Sequence, residues 1–177
     1  MNLPKREIKV EENLHYVEPI TELMDLTFTK PTLAGDGLTD WTQSSNPDTS
    51  EGQYIHEKTK HNDLNRYAPQ VSYSGVAYPG DDFNYWLYLI GKREVIGARF
   101  NEFEVETWNP VGSDKTYTAY KRTYDVQPSN PGSGAGGEKL AIEGTFSQVG
   151  SVIAGTYNIA TGTFTEATAA AKAVLSK

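Results

Sequence analysis

The sequence predicts a mainly β protein of the α+β class, in which strands dominate and one short α-helix is added. Several segments alternate apolar and polar residues with a period of two, which is typical of half-buried strands. The chain contains 11 Tyr and 3 Trp, residue types that favour the surfaces of β-sheets. Only residues 82–91 place apolar side chains at the spacing of a helix face.

The composition fits a single domain spanning residues 1–177 and argues against several classes of function. A net charge of −7 disfavours a protein that binds phosphate backbones, which needs clustered Lys and Arg. The absence of cysteine excludes disulfides and thiolate metal sites. No segment approaches the roughly 18 apolar residues of a membrane span, and the N-terminus lacks the apolar core of a signal peptide. We therefore expect no membrane partner and no cofactor.

The first sixty residues are predicted to hold little regular structure. Residues 1–20 mix charges with scattered apolar residues and prolines, which indicates an N-terminal arm with a short strand near residues 7–10. Residues 22–30 alternate as a half-buried strand. Residues 31–60 predict a long polar loop that closes with a short exposed strand at 54–60. Loops of more than about 15 residues are usually functional or disordered.

A strand followed by the helix is the best-marked part of the chain. Residues 67–78 alternate as a strand, in which Gly75 indicates a bulge or a close packing contact. The acidic pair Asp81-Asp82 can then cap a helix and suits its positive N-terminal end. Gly91 is a suitable residue for the end of the helix. The apolar stripe at i, i+3, i+4 and i+7 consists of Phe83, Trp86, Leu87 and Ile90.

The second half of the chain is predicted to be a series of long strands and turns. Clusters of Gly, Pro and Asn separate runs that are rich in Tyr, Phe and Thr. The Ala-rich end suits a marginal helix or a mobile arm. In chain order the predicted elements are a strand at residues 94–108, a turn at 109–114, a strand at 116–127, a flexible loop at 128–138, a strand at 140–146, a hairpin at 151–165 that turns at 160–162, and a C-terminal tail at 166–177.

Three carboxylates, Glu102, Glu104 and Glu106, alternate along the strand predicted at residues 94–108. Their spacing of about 7 Å on one strand face is compatible with a glycosidase pair, but three identical neighbours lack the different environments that would separate their pKa values. Catalysis is therefore not favoured. Two interpretations stay open: a solvated strand face partly neutralised by Lys121 or Arg122 across the hairpin, and the acidic lining of a channel.

No other arrangement of residues predicts chemistry. His56 and His61 lie on or beside the long loop, and we interpret them as solvent-facing, because a metal site needs ligands that converge in a formed pocket. The sequence has no phosphate-binding glycine motif and no nucleophile–base pair. The glycine-rich residues 132–137 neither follow a strand nor open a helix. We therefore predict no catalytic residue and no metal ligand, in a protein that is not an enzyme.

Trp41 is the exceptional residue of the polar loop at residues 31–60. One interpretation is that its ring folds back and caps the edge of the core. The other is that the ring anchors the loop on a neighbouring subunit, since aromatic residues often dominate the energy of such contacts. The sequence alone leaves both interpretations open.

The order of these elements resembles the major tail protein, or tail tube protein, of long-tailed bacteriophages, with the closest likeness to siphophages of Gram-positive hosts. The resemblance is carried by YAPQVSYSGVAYPGDDFNYWLYLIGKREV at residues 67–95 and by KLAIEGTFSQVGSVIAGTYNIATGTFT at residues 139–165. The first segment is similar to the family's strand, turn and short helix with its acidic pair. The second is similar to its late strands, with IEGTF, IAGTY and a GTFT ending. Together they cover about a third of the chain.

The resemblance implies two packed antiparallel β-sheets, in a sandwich- or barrel-like fold with the helix on its flank. It also implies homo-hexameric rings that stack into a hollow tail tube, through which phage DNA passes to the host cell without specific binding. The partners would be further copies of the chain and other tail proteins, namely the tape measure, tail terminator and distal tail proteins. The protein would assemble in the host cytoplasm and become part of the virion.

In such a tube the loop at residues 31–60 would reach into the adjacent ring, with Leu38, Trp41 and Tyr54 as candidate contacts between subunits. The N-terminal arm and C-terminal tail would add contacts between rings. The candidate lining of the lumen is the acidic row of Glu102, Glu104 and Glu106, since an acidic wall does not bind phosphates.

Two alternatives to this function remain. One is the inner tube of a contractile injection or secretion apparatus, which the residues do not distinguish from a phage tail. The other is a carbohydrate-binding β-sandwich module, which would explain the many aromatic residues. The carbohydrate-binding alternative does not explain a long polar loop and extended ends, because ordering them costs conformational entropy.

Overall fold

The computed structural model describes residues 5–23, 26–112 and 114–167. This part of the chain is mainly β with a single α-helix, which confirms the predicted fold class. The strands are β1 Asn13–Pro19, β2 Thr32–Leu33, β3 Leu38–Ser44, β4 Pro47–Gly52, β5 His61–Tyr67, β6 Gln70–Val76, β7 Arg99–Pro110, β8 Thr116–Ser133, β9 Ala141–Asn158 and β10 Thr163–Glu166. The helix, α1, is Asp82–Lys92, and a 3-10 turn covers Val10–Glu12.

Eight of the strands form one antiparallel sheet in the order β2-β1-β7-β8-β9-β6-β3, with β10 also paired to β9. Its centre is the pair of β8 and β9, each 18 residues long. The sheet curls strongly, so that Trp41 of β3 stacks on His15 of β1 with ring centroids 4.9 Å apart. The two packed sheets implied by the resemblance are therefore one sheet folded over its own core, and the second sheet is only the β4–β5 hairpin.

The two faces of the sheet carry separate apolar clusters. The main core packs beneath α1 and includes Phe100, Tyr124 and Phe146, each with no exposed surface. The opposite face holds a smaller cluster around Phe103 and Tyr157. β7 is therefore buried on both faces, which is typical of a central strand.

The helix begins where the sequence indicates. The carboxylate of Asp81 accepts a hydrogen bond from the backbone N–H of Asn84 at 2.7 Å and caps the N-terminus. The helix continues to Lys92, so Gly91 lies in its last turn, where the missing side chain admits Pro131 of β8. In the described ranges no helix is long and apolar enough to cross a membrane. The predicted apolar stripe is buried and comprises Phe83, Trp86, Leu87 and Ile90.

The N-terminal region differs from its prediction. Residues 7–10 are not a strand, and β1 instead pairs with β7 along all of its 7 residues. Much of the predicted arm at residues 1–20 therefore belongs to the main sheet. The strand expected at residues 22–30 is also wrong, because Leu23 and Leu26 form only an isolated bridge and turn their side chains towards the main core.

The predicted loop at residues 31–60 is wrong for most of its length. It contains β2, β3 and β4, and β3 pairs with β6 as an edge strand of the main sheet. The exposed strand expected at residues 54–60 lies further along the chain as β5, which pairs with β4 in a separate hairpin. The side chains of β4 and β5 are nearly all exposed, and in β3 only Leu38 and Trp41 pack against the core. Apolar residues therefore do not alternate along these strands, and no periodicity reveals them.

The later strands have different bounds from those predicted. β7 begins at Arg99 rather than at Glu94, which has a positive φ of 51° and belongs to a turn. β8 continues to Ser133 and takes up about half of the flexible loop expected at residues 128–138. Prolines within this part of β8 are tolerated because it lies beyond the end of its pairing with β7.

The end of the chain agrees with its prediction as far as it is described. β9 is one continuous strand where a strand and the first arm of a hairpin were expected. The turn at residues 160–162 is confirmed and joins β9 to β10. Of the predicted tail at residues 166–177, the part beyond Ala167 lies outside the described residues.

Replacing Gly75 with Ala should lower the free energy of unfolding by about 1–3 kcal/mol, a typical cost of overpacking. A Cβ at this position would collide with the carbonyl oxygen of Gly37 and come within 2.9 Å of Cα of Leu38, both backbone atoms. Urea unfolding followed by tryptophan fluorescence measures the change. The matched control is Gly136→Ala, where a Cβ would meet nothing within 4 Å. Equal stabilities of the two variants would contradict the predicted close contact.

Candidate functional site

The predicted acidic row lies on β7, on the same face of the sheet as the buried ring of Phe100. Glu102 is only 1% exposed, whereas Glu104 and Glu106 are half-buried. The interpretation of the row as a solvated strand face is therefore wrong for Glu102. For the same reason this carboxylate does not present its charge at the surface of the single chain, and a lumen lining by the row stays a prediction.

Glu102 and Glu104 belong to a cluster of charged side chains that joins β1, β7 and β8. Nδ1 of His15 lies 2.7 Å from Oε1 of Glu102. Arg122 forms an ion pair with Glu104 and holds its Nη1 3.6 Å from Oε2 of Glu102. Nδ2 of Asn13 donates to Oε1 of Glu104 at 2.8 Å. These five residues, here called the ionic cluster, are held by contacts within one chain.

Strand register explains which residues enter the ionic cluster. Arg122 stands directly opposite Glu102, and His15 stands opposite Glu104. Side chains opposite each other on antiparallel strands share one face of the sheet. Arg122 therefore neutralises the negative charges of Glu102 and Glu104 from across the β7–β8 hairpin. Lys121 lies on the other face of the sheet, with its Nζ 5.7 Å from the centroid of the Phe103 ring. Sequence reasoning missed His15 because the pairing of β1 with β7 cannot be read from either strand alone.

The carboxylates of the row have different environments, contrary to the expectation of three equal neighbours. Burial alone would raise the pKa of Glu104, but the charge of Arg122 and the hydrogen bond from Asn13 outweigh it and hold this pKa below its ordinary value. Burial raises the pKa of Glu106, and its hydrogen bond with Asn109 offsets this only in part. Glu104 is committed to Arg122 and Asn13, so it is not free to act as a base towards a substrate.

Trp41 packs on the core of its own chain. Besides stacking on His15, its ring lies with its centroid 5.2 Å from that of Phe146 and 6.5 Å from that of Phe100. These contacts hold β3 against β1 and close the curled sheet. They agree with the interpretation that the ring of Trp41 folds back and caps the edge of the core. Leu38, at the start of β3, also packs against the main core. A role for either residue between subunits stays a prediction.

The β4–β5 hairpin projects from the sheet and ends in exposed apolar side chains. Within the described strands, β4 and β5 pair only with each other. At the hairpin tip, residues 53–60, Tyr54 is 63% exposed and Ile55 is fully exposed. An isolated hairpin is at best marginally stable in water, so this element suits a partner surface. Sequence reasoning selected Tyr54 but missed Ile55, whose only signal is its position as a lone aliphatic residue in a polar turn.

Ring stacking and hydrogen bonds order the hairpin tip. Tyr54 stacks on His56 and His61, with ring centroids 6.0 Å and 5.1 Å apart. The two ring nitrogens of His61 lie 3.1 Å from Glu57 and 3.3 Å from Asp63. Among residues 5–23, 26–112 and 114–167, no group of three or more His, Asp or Glu side chains is arranged to hold a metal ion.

Comparison with known proteins gives a likeness of fold only. No family model and no curated protein matches the chain. A chain from the tail of an empty GTA particle, obtained by helical refinement with C6 symmetry, matches with a TM-score of 0.53 and 12% identity, over 82% of this chain and 97% of that chain. A chain from the 6-fold symmetrised baseplate of the anti-feeding prophage (AFP) gives a TM-score of 0.43 and 9% identity, over 90% of this chain and 99% of that chain. The shared fold is established by the first of these.

Replacing Trp41 with Ala should lower the free energy of unfolding by about 2–4 kcal/mol, because a half-buried ring is lost from the seam between β1 and β3. Trp41→Phe keeps an aromatic ring and should therefore lower the free energy of unfolding by less than Trp41→Ala does. Urea unfolding measures both variants. A loss below about 0.5 kcal/mol for Trp41→Ala, the range of ordinary surface substitutions, would show that the ring does not support the fold.

Glu104→Gln should weaken the dependence of stability on acid pH. A carboxylate whose folded pKa lies below its unfolded value stabilises the fold above the unfolded pKa, and this contribution disappears as the pH falls through the folded pKa. The free energy of unfolding of the wild-type protein should therefore fall as the pH drops below about 4.5. Glu104→Gln should have a lower free energy of unfolding near pH 7, and this free energy should fall less on acidification. Urea unfolding at a series of pH values tests this, with the exposed Glu143→Gln as control. Identical pH profiles for wild type and Glu104→Gln would contradict it.

Proposed function

We propose that this protein is a structural tail protein whose homo-hexameric rings stack into a hollow tube that conducts phage DNA to the host cell. The observation that carries the proposal is the projecting β4–β5 hairpin, which ends in exposed apolar side chains and pairs with no other described strand. The fold likeness to a chain of the GTA particle tail, over 97% of that chain, supports the same role. The C6 symmetry of that tail is compatible with a ring of six.

The hairpin gains free energy only when a second surface covers it. Ordering its residues costs conformational entropy, and in the single chain its apolar tip remains in water. Covering the tip removes apolar surface from water at about 25 cal/mol per Å². We therefore assign the reach into an adjacent ring to residues 45–69 rather than to residues 31–60, because β3 is held by β6.

Sheet edges suit the formation of a ring. β3 is an outer strand of the main sheet, and its 7 residues are mostly exposed and polar. An exposed edge strand presents unpaired backbone groups that a neighbouring chain can satisfy. Pairing between the outer strands of adjacent copies would close the sheets of a ring into a continuous wall.

The charge of the chain suits passage of DNA without binding. With a net charge of −7 per copy, a ring repels phosphates rather than holding them. We propose that the wall of the lumen carries Glu104 and Glu106, the two members of the row that reach the surface. The charge of Glu104 is offset by Arg122, so Glu106 contributes the larger share.

The proposed function also predicts the partners of the protein and its location. The other tail proteins, namely the tape measure, tail terminator and distal tail proteins, would bind the tube along its axis or at its ends. The protein would reside in the virion after assembly in the host cytoplasm, and would have no catalytic activity. The assignment to a siphophage of a Gram-positive host is supported by the sequence resemblance at residues 67–95 and 139–165.

Replacing Ile55 with Ser should block stacking while leaving the fold intact. Both Ile55 and Ile96 are almost fully exposed, so Ile96→Ser is a control of the same residue type and exposure at another position. Negative-stain microscopy of the concentrated proteins should show rings or tubes for wild type and Ile96→Ser, and no tubes for Ile55→Ser. The free energies of unfolding should agree within about 0.5 kcal/mol. A wild-type protein that stays monomeric at high concentration would refute the proposed function.

A further inference from the structure

A cleft of about 670 Å³ opens at the root of the β4–β5 hairpin, where residues 45–46 and 68–69 connect the hairpin to the main sheet. Tyr67 and Pro69 line this cleft, together with Gln148 and residues 150–152 of β9. This cavity, here called the root cleft, lies at the opposite end of the hairpin from its exposed tip.

The β9 side of the root cleft has backbone groups that no described strand covers. β6 pairs with β9 up to Ser147, and β10 pairs with it from Gly155 onward, which leaves residues 149–153 between them. On the side facing β8, the strand bulges, with residues 150–152 opposite Arg122. A stretch of sheet edge without a paired neighbour is a template for an incoming chain.

Two buried polar atoms belong to side chains that line the root cleft. Nε of Arg122 and Oε1 of Gln148 have no hydrogen-bond partner within the described part of the chain. The side chain of Arg122 is 11% exposed, and its Nη1 is occupied by Glu104.

The surface of the root cleft offers apolar area to a partner. Tyr67 is 59% exposed and Val152 is 43% exposed, so both offer apolar area to a partner. Arg66 and Arg122 also line the cleft, and each is paired with a carboxylate of its own chain, Arg66 with Asp48 and Arg122 with Glu104. A partner with exposed apolar side chains would therefore be complementary, because the contact removes apolar surface of both from water.

The tip of the same hairpin has that chemistry. Tyr54 and Ile55 are its exposed apolar side chains. The loop between β4 and β5 also presents backbone groups that are outside any strand ladder.

We propose that the root cleft of one copy receives the hairpin tip of a second copy, with Ile55 placed against Tyr67 and Val152. This proposal rests on the proposed function and names the surface to which the hairpin binds. Tip and root are separated by the length of β4 and β5, about 20 Å for strands of this size, so a copy does not fill its own cleft. The contact joins two different surfaces, so each copy can bind one further copy through its tip and another through its root, and the contact can repeat along a stack.

Disulfide trapping tests the proposal, because the wild-type chain has no cysteine and each variant carries a single thiol. Ile55→Cys and isotope-labelled Val152→Cys are mixed under the conditions in which the wild-type protein forms tubes, and are then oxidised. Mass spectrometry should find the mixed 55–152 dimer at least tenfold more abundant than the mixed dimer from Ile96→Cys and Val152→Cys. Equal yields, or dimers joined only through position 55, would overturn the proposal.

A charge placed in the root cleft gives a second readout that does not depend on thiols. Val152→Asp should abolish tubes, whereas Val111→Asp, at a residue of similar exposure elsewhere, should not. Tubes of normal yield from Val152→Asp would exclude the root cleft as the receptor. If wild-type tubes form but the 55–152 dimer is missing, only this contact fails. If the wild-type protein forms neither rings nor tubes, the proposed function fails as well.

Discussion

The antiparallel pairing of β8 with β9 is the constraint on which the rest of the structure depends. β7 attaches to the first part of β8, while β6 and β10 attach to different parts of β9, so every other strand of the main sheet is placed by this pair. The pair is interrupted near Arg122, where the register shifts. Bulges increase local twist, and here the bulge brings the ionic cluster and the root cleft to the same part of the sheet.

The ionic cluster constrains the register of β1 against β7. Placing Glu102 at 1% exposure costs desolvation energy, which His15 and Arg122 offset through close contacts. A slip of one residue between β1 and β7 would turn every side chain to the other face and separate His15 from Glu102. Apolar side chains alone would penalise that slip less, because β7 is buried on both faces.

The sequence reveals those elements whose side chains have one buried face. The helix, with its Asp81 cap and apolar stripe, and the strand around Tyr73 follow from periodicity because the core selects one face of each. β3, β4 and β5 do not, since exposed strands are held by backbone pairing that leaves no side-chain pattern. In the candidate site, the acidic row is visible in the sequence, but the burial of Glu102 depends on partners that only the folded register brings together.

The connection between the hairpin and the sheet determines how a stack of such units would respond to force. The connection is held by Asn46, whose carbonyl oxygen accepts from the N–H of Ala68 at 3.1 Å and whose side-chain amide donates back to Ala68 at 3.2 Å. Asn46 also has a positive φ of 40°, which residues other than Gly, Asn and Asp rarely adopt. The N–H of Gln148 adds a bond to the carbonyl oxygen of Pro69 at 3.0 Å. These few bonds at a narrow neck yield more readily than the long ladders of the sheet. A column joined through such necks would curve by small rotations at each of them, so a long filament could bend while every sheet within it kept its shape.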